Sequence, residues 1–405
     1  MLKTRTTTAG VGTSTEVESM RAGVQAAEQA VEQLGNAACD FVIAFGGMGY
    51  DHGKMLQGVR SVTGDVPLAG CSAQGVVAQS WAKESPRVAG VMAIASDGLT
   101  LTHSMHEGLS RDSYDVGRKI SKDLLASPPD EPALLLCLYD PLTGVNVDQL
   151  LRGLESERHI PIIGGAASQP WGPLKETRQY MDDRVVQDAA TCVLISGDMA
   201  AEFGVTHGAV PLGMEATITK AKGNVIYEID DRPAYSAWKE QTGSGESFST
   251  NDISMWAIGI RLPENIQGDY EGCVTRTLFK FDPEQESIWL QSEIPEGTRV
   301  LLHHRTFEAV KDRAVAMAER LKDGIGGRAP LFALSFECGA RSSPFLGIDG
   351  AAEEVRKVQE TVGGDIPWLG MYAWGEIAPL GGVNYFHNYT FPMCVVLPRD
   401  EAGPR

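Results

Sequence analysis

Residues Cys39–Gly75 read "CDFVIAFGGMGYDHGKMLQGVRSVTGDVPLAGCSAQG". The run "FVIAF" is apolar at every position, which fits a strand covered on both faces rather than one face of an amphipathic helix. A glycine loop follows, then a helix whose first free N–H groups Asp51 can accept. Pro67 ends the return and a small strand closes near Gly70. Strand, helix and returning strand form a βαβ unit, and its crossover makes the two strands parallel.

The same order of parts recurs twice. Residues Glu131–Ser168 read "EPALLLCLYDPLTGVNVDQLLRGLESERHIPIIGGAAS", with Asn146 as the helix cap and a return through Pro161 to Gly164. Residues Ala329–Glu376 read "APLFALSFECGARSSPFLGIDGAAEEVRKVQETVGGDIPWLGMYAWGE", with Asp349 as the expected cap and a return through Pro367 to Gly370. Internal repetition of this kind identifies one structural module used three times.

The flanks repeat as well. A helix precedes each first strand, expected over Thr15–Leu34 with a Thr15/Glu18 capping box, Tyr114–Leu125 and Phe307–Leu321. Each module ends in further extended runs, the last being "VAGVMAIAS", "AATCVLIS" or "FPMCVVLP". Between the second and third copies the pattern changes to alternating strands with Asp- and Pro-containing turns, plus a short helix over Pro233–Gln241. The expected fold class is therefore α/β, two domains built from repeated βαβ modules with additional antiparallel strands. Residues 1–215 would hold two modules, and residues 216–395 a β-rich insertion and the third.

Composition excludes several functions. A formal charge of −18 argues against nucleic acid and against an anionic membrane surface, both of which attract an excess of Lys and Arg. The seven cysteines form no CxxC pair, so neither a zinc knuckle nor a disulfide framework is indicated. No apolar run approaches the ~18 residues of a membrane span, and the N-terminus lacks an apolar signal-peptide core. The expected location is cytoplasmic. No Walker A, HExxH or GxSxG sequence, and no GxGxxG after a strand, is present.

The pieces "YDHGKMLQGVR", "PLAGCSAQG", "PIIGGAAS", "GNVIYEIDDRPAYSAW", "IPEGTRVLLHH", "SFECGARSSPFLG" and "YAWGEIAPLGGVNYFHNYT" resemble the FIST family, in which FIST_N and FIST_C domains occur in tandem as a sensory unit. The segment "ECGARS" keeps Cys338 and Arg341 at the family's positions and carries Glu337 where the family pattern has a neutral residue. The resemblance implies an intracellular sensor of small metabolites such as amino acids. Some members look like haem-dependent nitric-oxide sensors coupled to histidine kinases or cyclic-dinucleotide enzymes. With no output domain recognised here, signalling would pass through a separate partner; a homo-oligomer is also compatible.

Ligands of open α/β folds collect at the carboxyl ends of parallel strands. Gly70, Cys71, Ser72, Gly164, Gly165, Cys338, Arg341, Trp374, Glu376 and Asn388 are therefore the candidate ligand-binding residues. The alternative reading of the glycine loops is tight turns around a packed cysteine. Arg341 and Glu376 together suit a zwitterion, although an internal ion pair with Glu337 or Glu376 is equally open to Arg341. His387 is the candidate haem ligand, against the commoner outcome of a hydrogen-bonded core histidine. Neighbours His303 and His304 face opposite sides of a strand and cannot both grip one metal easily. An enzyme would use Cys71 or Cys338 as nucleophile with Glu376 as acid or base.

Overall fold

A computed structural model describes residues 6–127, 130–170, 172, 176–243, 254–267 and 270–399. All three modules are present. Strand Phe41–Gly47 pairs in parallel with Leu68–Ala73, Pro132–Tyr139 with Ile162–Ala166, and Phe332–Cys338 with Trp368–Ala373. The proline before each second strand plays one role three times. The carbonyls of Pro67, Pro161 and Pro367 accept from the amides of Val42, Leu135 and Ala333, at 2.9, 2.9 and 2.8 Å.

Each parallel pair is the centre of a sheet with six strands among the described residues, and the modules exchange their edges. Strands Gly75–Ala78 and Trp81–Glu84 leave the first module to complete the sheet of the third. The third module's Glu376–Leu380 and Val383–His387 complete the sheet of the second. The second module's Gln179–Met181 and Arg184–Val186 complete the sheet of the first. The exchange is cyclic. On the other edge, Met199–Gly204 pairs with Met393–Pro398, so a strand within residues 1–215 belongs to the third module's sheet.

Side-chain alternation explains the uninterrupted apolar runs. Phe41, Ile43 and Phe45, Leu134, Leu136 and Leu138, and Phe332, Leu334 and Phe336 share one core formed by all three sheets. The residues between them point outward to three separate helix layers, Val42 and Ala44 to one, Leu135 and Cys137 to another, Ala333 to the last. Both faces of each central strand are covered, as the sequence implied.

Two helix starts differ from expectation. The first helix is Ser19–Glu32, and Glu18 itself caps it by accepting from the amides of Met20 and Arg21. Strand Thr7–Ser14 precedes it, and residues 15–18 form the connection between strand and helix. In the third module the helix is Ile348–Val362, capped at Gly347, whose φ of 75° suits glycine; Asp349 lies in its first turn. Asp51 and Asn146 cap as expected, accepting from the amides of Lys54 and Gln149.

The inserted segment forms an antiparallel sheet containing Val210–Lys222, Val225–Ile229, Trp256–Arg261, Cys273–Arg276, Leu278–Asp282, Ser287–Leu290 and Arg299–His304. Helix Ala234–Thr242 packs on it, with Trp238 in its core. No helix among the described residues is long and apolar enough to cross a membrane.

Candidate functional site

The second strands of the modules converge at their carboxyl ends. Ser72 donates to the carbonyl of Ser168 at 3.1 Å, the Ser168 hydroxyl bonds the carbonyl of Tyr372, and Ala166 donates to Gly375 at 2.7 Å. Beside this junction lies a cleft of about 190 Å³. One wall is the loop after strand Pro132–Tyr139, with Pro141 and Leu142. A second comes from the inserted sheet, with Thr277, Phe279 and Gln291. The third is Cys338, Gly339, Trp374, Asn388 and Tyr389. A smaller cavity of about 130 Å³ adjoins it and shares Pro141, Phe279, Gln291 and Trp374.

Every polar side chain among the described lining residues is neutral. Asn388 donates to Gln291 at 2.7 Å and accepts from the amide of Thr277 at 3.0 Å. The hydroxyls of Thr277 and Tyr389 lie 2.6 Å apart. Trp374 is half-buried and donates through Nε1 to Gln74 Oε1 at 2.9 Å, so its ring is fixed while one side remains open to the cleft.

Of the residues expected from sequence, Cys338, Trp374 and Asn388 line this cleft. Cys71 lies in the shared core with its sulfur 3.4 Å from that of Met371. Gly70 and Gly164 sit against their partner strands, where a Cβ would come within 1.8 and 1.9 Å of the carbonyl oxygens of Ala44 and Cys137. Gly165 packs against Ala373, and Ser72 accepts from the amide of Arg178 at 3.0 Å. These small residues let the strands approach.

Arg341 is fully buried. It pairs with Glu354 at 2.6 and 3.1 Å and donates to the carbonyls of His207, Tyr389 and Val310. Its partner is thus neither Glu337 nor Glu376. Glu376 stands behind Cys338, out of the lining. It accepts from the amides of Gly375 and Thr390, from the Thr390 hydroxyl at 2.8 Å and from the Cys338 thiol. Burial nevertheless raises its carboxyl to about 8, and burial together with Glu376 pushes the Cys338 thiol well up. At neutral pH the pair holds its protons, so Cys338 presents a thiol rather than a thiolate.

His387 tests the haem expectation. It is fully buried, its Nε2 faces the carbonyl of Ala378 at 3.1 Å, and burial lowers it to about 3. The ring lies between Tyr270 and Tyr385, at centroid distances of 6.2 and 6.3 Å, and lines neither cavity described above. An axial ligand needs a ring nitrogen open to an apolar slot. Nδ1 lacks a hydrogen-bond partner among the described residues, but His387 lines neither cavity, so the residues around it do not fit haem.

Sequence reasoning missed a second polar cluster beneath the inserted sheet. Cys273 Sγ lies 3.1 Å from His303 Nε2 and 3.7 Å from His207 Nε2, and His207 Nδ1 lies 2.9 Å from Glu271. His207, the Glu271/Cys273 pair and His303 are far apart in the chain and no motif joins them. His303 and His304 do face opposite sides of their strand, with the His304 ring tilted against Trp256 at a centroid distance of 4.6 Å. Among the described residues no group of three or more His, Cys, Asp or Glu is arranged to hold a metal ion.

Comparison with known proteins adds the family. The model of the FIST N domain matches residues 40–232 and that of the FIST C domain matches residues 234–379. An uncharacterised protein of Mycobacterium bovis is 27% identical, spanning 97% of this chain and 99% of its own. Another, from Mycobacterium tuberculosis, is 26% identical over 95% of this chain and 98% of its own. Among solved structures, a chorismatase aligns over 98% of this chain and 100% of its own, at 9% identity and a TM-score of 0.38.

Proposed function

Since this chain belongs to the FIST family, with its FIST N and FIST C domains in tandem, we propose that it senses a small metabolite bound in the cleft beside Trp374. FIST domains are in general small-ligand sensors of signalling proteins. The observation that carries the reading is the position of the cleft. Pro141 and Leu142 come from the FIST N part, and Thr277, Gln291 and Trp374 from the FIST C part, with Asn388 just beyond it. A ligand touching both has differential affinity for arrangements that bring them together or apart, which a signal requires.

The lining selects the chemistry. Trp374, Phe279, Leu142 and Pro141 offer an apolar surface, while Asn388, Gln291 and Thr277 offer neutral donors and acceptors. A compact molecule with one apolar face and a few hydrogen-bonding groups suits such a site. Within the amino acids, those with apolar side chains fit better than charged ones, because Arg341 and Glu376 are engaged behind the wall. The change would be read by a separate partner, such as a histidine kinase or a cyclic-dinucleotide enzyme.

Thermal-shift screening of wild type and Trp374→Ala against apolar amino acids, charged amino acids and small organic acids tests the reading. A ligand at 100 times its dissociation constant adds about 2.7 kcal/mol of stability. The expected result is a shift with an apolar amino acid or similar metabolite that Trp374→Ala abolishes. Equal binding by Trp374→Ala, or no shift across the panel, overturns the assignment to this cleft.

A further inference from the structure

The Cys273 cluster is separate from the cleft. Cys273 opens the strand Cys273–Arg276, His303 lies two strands away on Arg299–His304, and His207 and Glu271 sit just outside the sheet. The geometry is that of an activated thiol. His303 Nδ1 is 3.0 Å from the carbonyl of Leu301, so Nδ1–H donates there and Nε2 is left to accept the Cys273 proton. His207 is held on its other side by Glu271, whose carboxylate also accepts from the Thr206 hydroxyl and from the amides of His207 and Gly208. A nucleophile in reach of a base, beside a second imidazole fixed by a carboxylate, is the arrangement that nucleophilic cysteines use.

Electrostatics act in the same direction. Burial pushes the Cys273 thiol up, but the hydrogen bonds from His207 and His303 outweigh it and bring the thiol down to about 7. Burial works against a charged His207, yet Glu271 and Cys273 hold it up at about 9. Glu271 is held well below the usual carboxylate range by His207 despite its own burial. The other shifted thiols go the opposite way: burial raises Cys39, Cys71, Cys192, Cys338 and Cys394.

Tyr270 adjoins both this cluster and a cavity. Its ring meets His207 edge-on at 5.5 Å, and the same residue lines a cavity of about 480 Å³ bordered by Val205, Met317, Leu380 and Gly381. Its hydroxyl is buried with no hydrogen-bond partner among the described residues. A buried donor without a partner marks a place where a small polar molecule can bind.

We propose that Cys273 is a redox-reactive thiol, taking a small hydroperoxide that enters from this cavity past Tyr270. The Cys273 proton passes to His303 Nε2 and the thiolate attacks one peroxide oxygen. The S–O bond forms as the O–O bond breaks, and the sulfur loses two electrons to become a sulfenic acid. The departing hydroxide takes the proton from the imidazolium and leaves as water. Overall, thiol and hydrogen peroxide give sulfenic acid and water. This oxidation goes beyond the metabolite reading and does not depend on it.

Cys338 is the internal control, being 7% exposed against 3% for Cys273. If access alone governed the reaction, the half-buried Cys39 would lead and Cys338 would outpace Cys273. The folded full chain is treated with hydrogen peroxide in the presence of dimedone, and the labelled cysteine is identified by peptide mass spectrometry. We expect Cys273 to be labelled roughly tenfold faster than Cys338, and His303→Gln to slow it by roughly tenfold or more while the melting temperature is retained. Labelling of Cys273 only after unfolding, a rate equal to that of Cys338, or no effect of His303→Gln overturns the proposal. If His303→Gln does not fold, the wild-type pH profile decides: a rate that levels off above about pH 7 supports activation, and one still climbing at pH 9 overturns it.

Discussion

Glu337 shows how one side chain can set a pH dependence without touching a ligand. It occupies the helix-facing side of strand Phe332–Cys338, fully buried, with Ser335 donating to one oxygen at 2.9 Å and the other oxygen unpartnered among the described residues. Burial raises it from 4.5 to about 8. Between those values the folded state binds more protons than the unfolded one, so this group's contribution to stability falls as pH rises through that window. Glu337→Gln keeps the shape and removes the charge. Urea melts should show the variant more stable than wild type at pH 8, by on the order of a few kcal/mol, with the gap closing towards pH 4.5; a gap independent of pH would contradict this account. Sequence marked Glu337 as a departure from its family's pattern, and marked Cys338, Trp374 and Asn388 as candidates. It could not distribute them between wall and core, because alternation along a strand buried on both faces leaves no polar face to read. Arg341 illustrates the limit. Its place after the strand suggested a ligand contact, whereas its partner Glu354 lies on a helix 13 residues on, where only folding brings it near.

Elements were the most legible scale, and helix packing the least. Three buried strands, three returns through proline and two of three helix caps follow from residue type alone, since each reflects a local rule of burial, dihedral restriction or N–H satisfaction. The contact between helices Ser113–Leu125 and Val147–Leu154 does not. It depends on Gly117 and Gly153, each placed where a Cβ would fall 2.4 and 2.2 Å from a carbonyl of the facing helix, Leu150 and Tyr114 respectively. A glycine inside a helix normally signals a cost of about 1 kcal/mol; here it permits closest approach. Gly153→Val should force the helices apart and lose about 1–3 kcal/mol, read as a lower urea midpoint with an unchanged slope. By contrast Asn146→Ala removes the cap and the side-chain bond to Glu293 at 2.6 Å, and should cost about 1–2 kcal/mol, without changing how the helices pack. If the valine variant were as stable as wild type, the close contact would not be what fixes this layer.

At the scale of the molecule, the exchange of edge strands decides how the chain unfolds. The sequence predicted two domains divided near residue 215, and the repeat was correctly counted, but which module lends strands to which is a long-range choice with no local signature. Residues Gly75–Glu84 complete a sheet whose centre begins at Phe332, and Glu376–His387 complete one whose centre begins at Pro132. Cutting the chain at 215 would leave Trp368–Ala373 and Ile162–Ala166 each with an open hydrogen-bonding edge. It would also split the core shared by Phe45 and Phe336, whose rings meet edge-on at 6.3 Å. Neither half retains a complete core, so the parts should not fold independently in the way ordinary tandem domains do. Expressed alone, residues 1–215 and 216–405 should each lack a cooperative urea transition and the near-ultraviolet signal of packed aromatics. Mixed after co-refolding, they should recover a single transition close to that of the intact chain. Two independent transitions in the intact protein, or a stably folded isolated half, would show that the exchanged strands decorate separable domains. One transition means that a ligand bound between Leu142 and Trp374 stabilises all three modules together, which gives a sensor of this build a global readout from a local contact.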